Sequence, residues 1–174
     1  RAPVLRLHHD ILIAFADETA SESPAPGGGS ISAYLGALGV SLATMVANLS
    51  SHKAGWDNRW QEVSDHAERG MAVQKDLVRL VDEDTQAFNR VMDAMGLPKG
   101  SDMEKAARHK AIQDATRYAT EVPLKVMKRA GDAFDLIKAM AENGNPNSVS
   151  DAGVGALCTR SAVMGAFLNV KINA

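Results

Sequence analysis

An all-α fold is what this sequence predicts, and three observations carry the prediction. Aromatic residues make up only 5% of the chain, while Ala, Gly and Met are plentiful, a balance that favours closely packed helices. Apolar residues recur at three- and four-residue steps, and no alternating run of useful strand length appears. Pro and Gly then divide the chain into about five or six helical segments, the pattern of a helical bundle. At 174 residues, 1–174 suits one domain with a sizeable core.

Val4, Leu7, Leu12 and Phe15 outline a first amphipathic helix, closed by the Pro-Gly segment at 24–29. The next stretch, 31–51, carries no charged residue and is long enough to raise a membrane span. Its pattern argues otherwise. Ile31, Leu35, Leu38, Leu42, Met45 and Leu49 form a bulky line, and Ser32, Gly36, Gly39, Ala43 and Ala47 form a second line of small residues. Such a helix is expected to be buried on both faces, partly at a subunit interface. A long helix follows over about 58–95 and stops at Gly96-Leu97-Pro98. Another covers about 102–121, with Pro123 marking its end or the start of the next, which reaches about 142. The stretch 142–153 is a loop, and a helix rich in small residues runs from Asp151 onward.

The net charge of −2 and the scattered Lys and Arg leave no footprint for nucleic acid. A single cysteine, Cys158, excludes an internal disulfide framework and fits a reducing compartment, so the expected location is cytoplasmic. Residues 1–10 lack the apolar core of a signal peptide. The chain starts without Met and stops inside a helical pattern, so it is expected to be part of a longer polypeptide, with a terminal helix missing. His8, His9, His52, His66 and His109 show no metal-ligand spacing, and no nucleophile motif is present; no metal and no cofactor are expected.

The most informative stretch is "LVDEDTQAF" (80–88). Leu77, Val81, Phe88, Val91 and Met95 form the apolar stripe of the long helix, and the gap in it falls at 84 or 85. Asp84 therefore points inward, whereas Asp82 lies about 200° round the helix and faces water. A desolvated carboxylate costs free energy unless it is paired or given a task. Two readings stand: Asp84 is bridged to a Lys or Arg of another helix, or it is an acid/base catalyst with a raised pKa.

Gly27, Gly28 and Gly29 precede a helix start, where free N–H groups and the macrodipole attract phosphate or carboxylate. Without a Gly-Lys-Ser/Thr ending this is no P-loop, and the glycines alone read as a flexible lead-in with Ser30 as N-cap. Ser148 and Asp151 have capping-box spacing; the functional alternative sets Asp151 at a second helix start facing a cleft. Lys53 suits either a helix C-terminus or an anion clamp.

Taken in order, "PAPGGGS", "MVANLS", "LVDEDTQAF", "AMGLPKG", "EVPL", "GNPNSVSDAGVGAL" and "FLNVKIN" resemble the formiminotransferase-cyclodeaminase C-terminal family over about 10–174. That family includes formimidoyltetrahydrofolate cyclodeaminases and methenyltetrahydrofolate cyclohydrolases. The resemblance implies an all-helical homodimer binding a folate substrate in a cleft lined partly by the glycine loop. It places the active-site aspartate on Asp84, and it makes Gly27, Gly28, Gly29, Ser30 and Lys53 substrate contacts; Asp151 joins them on its position at the second helix start. "MDAMGLPKG" and "MGAFLNVKIN" lean toward the cyclodeaminases, whereas "DAGVGAL" leans toward the cyclohydrolases. The favoured expectation is a cyclodeaminase working in histidine degradation, with a formiminotransferase domain or partner. The alternatives are the cyclohydrolase and a non-catalytic helical interaction module.

Overall fold

The computed structural model describes residues 7–174, with side chains from Asp10 onward. Six α-helices follow one another: α1 (Leu7–Ala20), α2 (Gly28–Ser51), α3 (Trp60–Met95), α4 (Asp102–Gly131), α5 (Phe134–Asn143) and α6 (Val149–Asn173). A 3-10 turn, Pro146–Ser148, separates the last two, and no strand occurs among the described residues. The expected all-α bundle is the observed one.

Helix α2 is the axis of the bundle, packed against α3 on one side and α6 on the other, with α4 closing against both partners. Its small-residue line explains how. Gly36, Ala37, Gly39, Val40, Ala43 and Ala47 are buried, and a Cβ added at Gly39 would stand 2.8 Å from the Gly155 carbonyl oxygen of α6. Only Gly lets the two backbones approach so closely. Leu77 and Leu80 of α3, Val122 and Val126 of α4, and Leu136 and Met140 of α5 fill the remaining core.

Within one chain the bulky line of α2 is left partly uncovered. Leu38, Met45 and Leu49 are 42%, 38% and 47% exposed, because the small-residue face takes both helix partners within the chain. The stripe of α3 is corrected. The buried positions are Val63, Ala67, Gly70, Val73, Leu77, Leu80, Ala87 and Ala94, while Met95 is exposed. By length and composition α2 and the stretch Pro146–Asn173 could each cross a membrane; the apolar window of α2 is 61% buried inside the bundle.

In α1, Phe15 tilts against Tyr34 with ring centroids 5.4 Å apart, but Ile11, Leu12 and Ile13 are exposed. Val4 lies outside the described residues. Helix α4 starts at a full capping box, in which Ser101 Oγ accepts from the Glu104 amide and Glu104 Oε2 accepts from the Ser101 amide.

Pro123 neither ends nor begins a helix. It sits inside α4, which runs on to Gly131. A proline removes the N–H that would bond the carbonyl four residues back, here Ala119. Asn173 of α6 supplies the substitute, its Nδ2 donating to the Ala119 oxygen at 3.0 Å. Asn173→Ala is therefore expected to cost about 1 kcal/mol in urea unfolding. In a Pro123→Ala background, where residue 123 again has an N–H, most of that cost should vanish. Additive losses in the two variants would contradict this account.

The Ser148/Asp151 capping box does not form. The 3-10 turn starts α6 at Val149, Ser148 is buried, and the side chain of Asn145 caps the turn through the Asn147 amide.

Candidate active site

The three neighbouring carboxylates of α3 have three different surroundings. Asp82 is exposed. Glu83 turns to α4, where Lys125 Nζ (2.6 Å) and the Tyr118 hydroxyl (3.0 Å) donate to Oε1 and hold its carboxyl below the usual range. Asp84 points between α2 and α6 and meets no Lys or Arg among the described residues; its partner is Ser30, whose Oγ lies 2.9 Å from Asp84 Oδ2. The salt-bridge reading of Asp84 is thus set aside.

Position 84 continues the seven-residue line Val63, Gly70, Leu77, which is why the helix carries it inward. Burial pushes its carboxyl above the usual aspartate range. Hydrogen bonds from the Ser30 hydroxyl and backbone amide pull the other way but do not cancel it.

The glycine segment is organised around this carboxylate. Gly27 is the N-cap of α2, and Gly28, Gly29 and Ser30 form its first turn. Ser30 is thus no N-cap: it lies one turn in, fully buried, behind Asp84. The Asp84 carboxylate rests on the Cα of Gly29, in the space a Cβ would occupy. The positive end of α2 faces an acid of the chain itself.

In front of Asp84 opens a cleft of about 330 Å³. Gly27, Gly28 and Gly29 line one wall, Thr85, Phe88 and Val91 of α3 a second, and Asn169 and Asn173 of α6 a third. Asp84 is the one ionisable residue among those lining it. No three His, Cys, Asp or Glu side chains gather as a metal site among the described residues.

The structure does not bring all the expected contacts together. Lys53 follows the C-terminal end of α2, stacked on Trp56 at 4.5 Å, about 36 Å of helix away from Gly28. Asp151 stands in the first turn of α6, whereas the cleft uses that helix's last turn. Neither lines the cleft within one chain.

Asn169 and Asn173 escaped the sequence reading, although a signal was present. Gly155, Thr159, Ala162 and Ala166 are the buried line of α6, and steps of three and four carry it on to 169 and 173. Two amides on a buried small-residue line have the same meaning as Asp84 on the stripe of α3.

Similarity to known proteins agrees with this geometry. Residues 12–174 match the family described as Formiminotransferase-cyclodeaminase. The chain belongs to that family. It is 39% identical to a methenyltetrahydrofolate cyclohydrolase of Methylorubrum extorquens, over 95% of this chain and 80% of that protein. It is 35% identical to the formimidoyltransferase-cyclodeaminase of Rattus norvegicus, over 93% of this chain but only 30% of the longer rat protein. A crystal structure of formiminotetrahydrofolate cyclodeaminase from Thermotoga maritima superposes with a TM-score of 0.81 at 31% identity, covering 93% of this chain and 77% of that one.

Proposed function

We propose that the chain is a formimidoyltetrahydrofolate cyclodeaminase, with Asp84 as its acid/base group. The observation that carries the reading is a desolvated carboxylate at the back of a cleft, with no cationic partner and no other ionisable lining residue among the described residues. The cleft is at the lower end of small-molecule pockets, roughly 300–1,000 Å³, and suits the ring end of a folate with its tail outside.

In this reading N10 of 5-formiminotetrahydrofolate attacks the formimino carbon, and a tetrahedral carbon forms. Asp84 takes the N10 proton and returns a proton to the departing nitrogen. Ammonia leaves, and 5,10-methenyltetrahydrofolate remains. One carboxylate whose pKa is raised toward neutrality serves both steps. Holding N10 near the carbon supplies much of the remaining rate, because the attack is intramolecular. The amidinium charge of the substrate is complementary to a cleft whose one ionisable group is acidic.

The second reading, methenyltetrahydrofolate cyclohydrolase, is favoured by the 39% identity to an enzyme of that name. Water then attacks the methenyl carbon with Asp84 as its base. The non-catalytic module is disfavoured by the open cleft against Asp84. Met45 and Leu49 border an apolar hollow of about 440 Å³ between α2 and α3, and with the exposed Leu38 they support a homodimer, to be read by light scattering as twice 18.5 kDa.

Near-ultraviolet absorbance of the methenyl compound separates the reactions. Starting from 5-formiminotetrahydrofolate, a cyclodeaminase makes the signal rise with release of ammonia. Starting from the methenyl compound, a cyclohydrolase makes it fall faster than the blank. A catalysed fall without a catalysed rise replaces the first reading by the second, and no change in either assay ends both.

A further inference from the structure

Ser30 has no route to the cleft, yet it is the residue most closely engaged with Asp84. It is fully buried in the first turn of α2, and its Oγ has three oxygen neighbours on α3: Asp84 Oδ2 at 2.9 Å, the Val81 carbonyl at 3.2 Å and Thr85 Oγ1 at 3.3 Å. A serine hydroxyl has one hydrogen and two lone pairs, so it can donate to one of these oxygens at a time.

We infer that Ser30 is a positioning residue that lets Asp84 serve first as base and then as acid without moving, its hydroxyl hydrogen turning from Asp84 Oδ2 to the Val81 carbonyl as the carboxylate gains a proton. While Asp84 is ionised, the hydroxyl donates to Oδ2. Once the carboxyl takes up a proton from the cleft, Oδ2 becomes a weaker acceptor, and the serine hydrogen finds another already in place on Val81. Thr85 can donate to Ser30 Oγ in the first state. The buried Ser30 hydroxyl therefore has an acceptor in both states, so a change in the charge of Asp84 leaves no buried donor unpaired there.

Among the described residues no charged group is hydrogen-bonded to Asp84 or lines the cleft beside it. Helix α2 carries no charged residue. On α3, Asp82 is exposed and Glu83 is bound to Lys125 and Tyr118 of α4. The surfaces of α4, α6 and the preceding loop that reach the cleft contribute Ala119, Asn169, Asn173, Pro24 and Ala25, none of them titratable.

The inference rests on Asp84 being the acid/base group, but its test does not depend on turnover alone. In protein labelled with 13C at the aspartate carboxyls, the Asp84 resonance is the one absent from Asp84→Asn. Ser30→Ala removes the hydrogen bond that favours the ionised form, so the Asp84 midpoint should rise by about one pH unit. Ser30→Cys keeps a side chain of the same shape with a somewhat larger atom, replaces a strong donor by a weak one, and should titrate like the alanine variant. In the cyclisation assay the acid limb of kcat/KM should move by the same amount. A midpoint unmoved in Ser30→Ala, or a cysteine variant indistinguishable from the wild type, would overturn the inference. A midpoint that moves in a protein inactive on both folates leaves the Ser30–Asp84 link standing and removes the folate reading.

Discussion

Asp84→Asn is expected to lower turnover by about 10²–10⁴-fold, the usual contribution of a positioned acid/base group, while making the protein more resistant to heat at neutral pH. The two effects have one cause. Burial raises the Asp84 carboxyl above its ordinary range, so the folded state holds that proton more tightly than the unfolded chain does. Between the ordinary aspartate value, about 4, and the raised one, the folded state binds more protons, and its stability falls as pH rises. Above the raised value the ionised carboxylate is a constant liability. An asparagine keeps a carbonyl oxygen for Ser30 and never ionises, so the difference in Tm, variant minus wild type, should grow with pH across that window and then level off. Calorimetry of both proteins from acid to mildly alkaline pH tests this, because every other titrating group cancels in the difference. A gap that is flat with pH, or that shrinks as pH rises, would mean that Asp84 is not a desolvated acid.

Periodicity made α3 legible because a long amphipathic helix repeats its instruction many times. One aspartate in the gap of a stripe of Leu77, Val81, Phe88 and Val91 is then conspicuous. The same logic is less decisive for α2, where bulky and small lines are both apolar and hydrophobicity does not say which packs within the chain. Close backbone approach decided it: Gly39 against Gly155 takes α6 onto the small face and leaves Leu38 and Leu49 outside. Pro123 misled for a different reason. A proline breaks a helix when the carbonyl it abandons has no other partner, and the partner here, Asn173, is fifty residues away in sequence. No local rule sees it. The Ser148–Asp151 spacing marks the N-cap position correctly, but the 3-10 turn leading into it buries Ser148, whose side chain makes no capping bond. What the sequence conveyed least was the relation between the glycines and the acid. By themselves the glycines read as a lead-in or an anion site and Asp84 as an inward carboxylate; the family resemblance sets both in one cleft, and the fold adds that the carboxylate rests directly on Gly29.

That relation predicts unequal roles for the three glycines. A Cβ at Gly27 would meet nothing closer than the Pro24 carbonyl oxygen at 3.7 Å, an ordinary contact, and one at Gly28 would stand 3.3 Å from Asn169 Nδ2. At Gly29 it would overlap the Asp84 carboxylate. The carboxylate is the free end of a side chain, so Gly29→Ala is relieved by swinging Asp84 aside rather than by moving backbone. Stability should change by no more than about 1 kcal/mol, since alanine also improves helix propensity. Activity should fall about 100-fold or more, because displacement of a catalytic group by about an ångström is enough for that. Gly27→Ala should stay near wild type. The combination of Gly29→Ala with Asp84→Asn should be no worse than Asp84→Asn alone, as both act through the same carboxylate. Turnover in Gly29→Ala within a few-fold of wild type, or losses that multiply in the double variant, would detach the glycine segment from the acid. It would then have to act on the ligand by itself, through its own N–H groups.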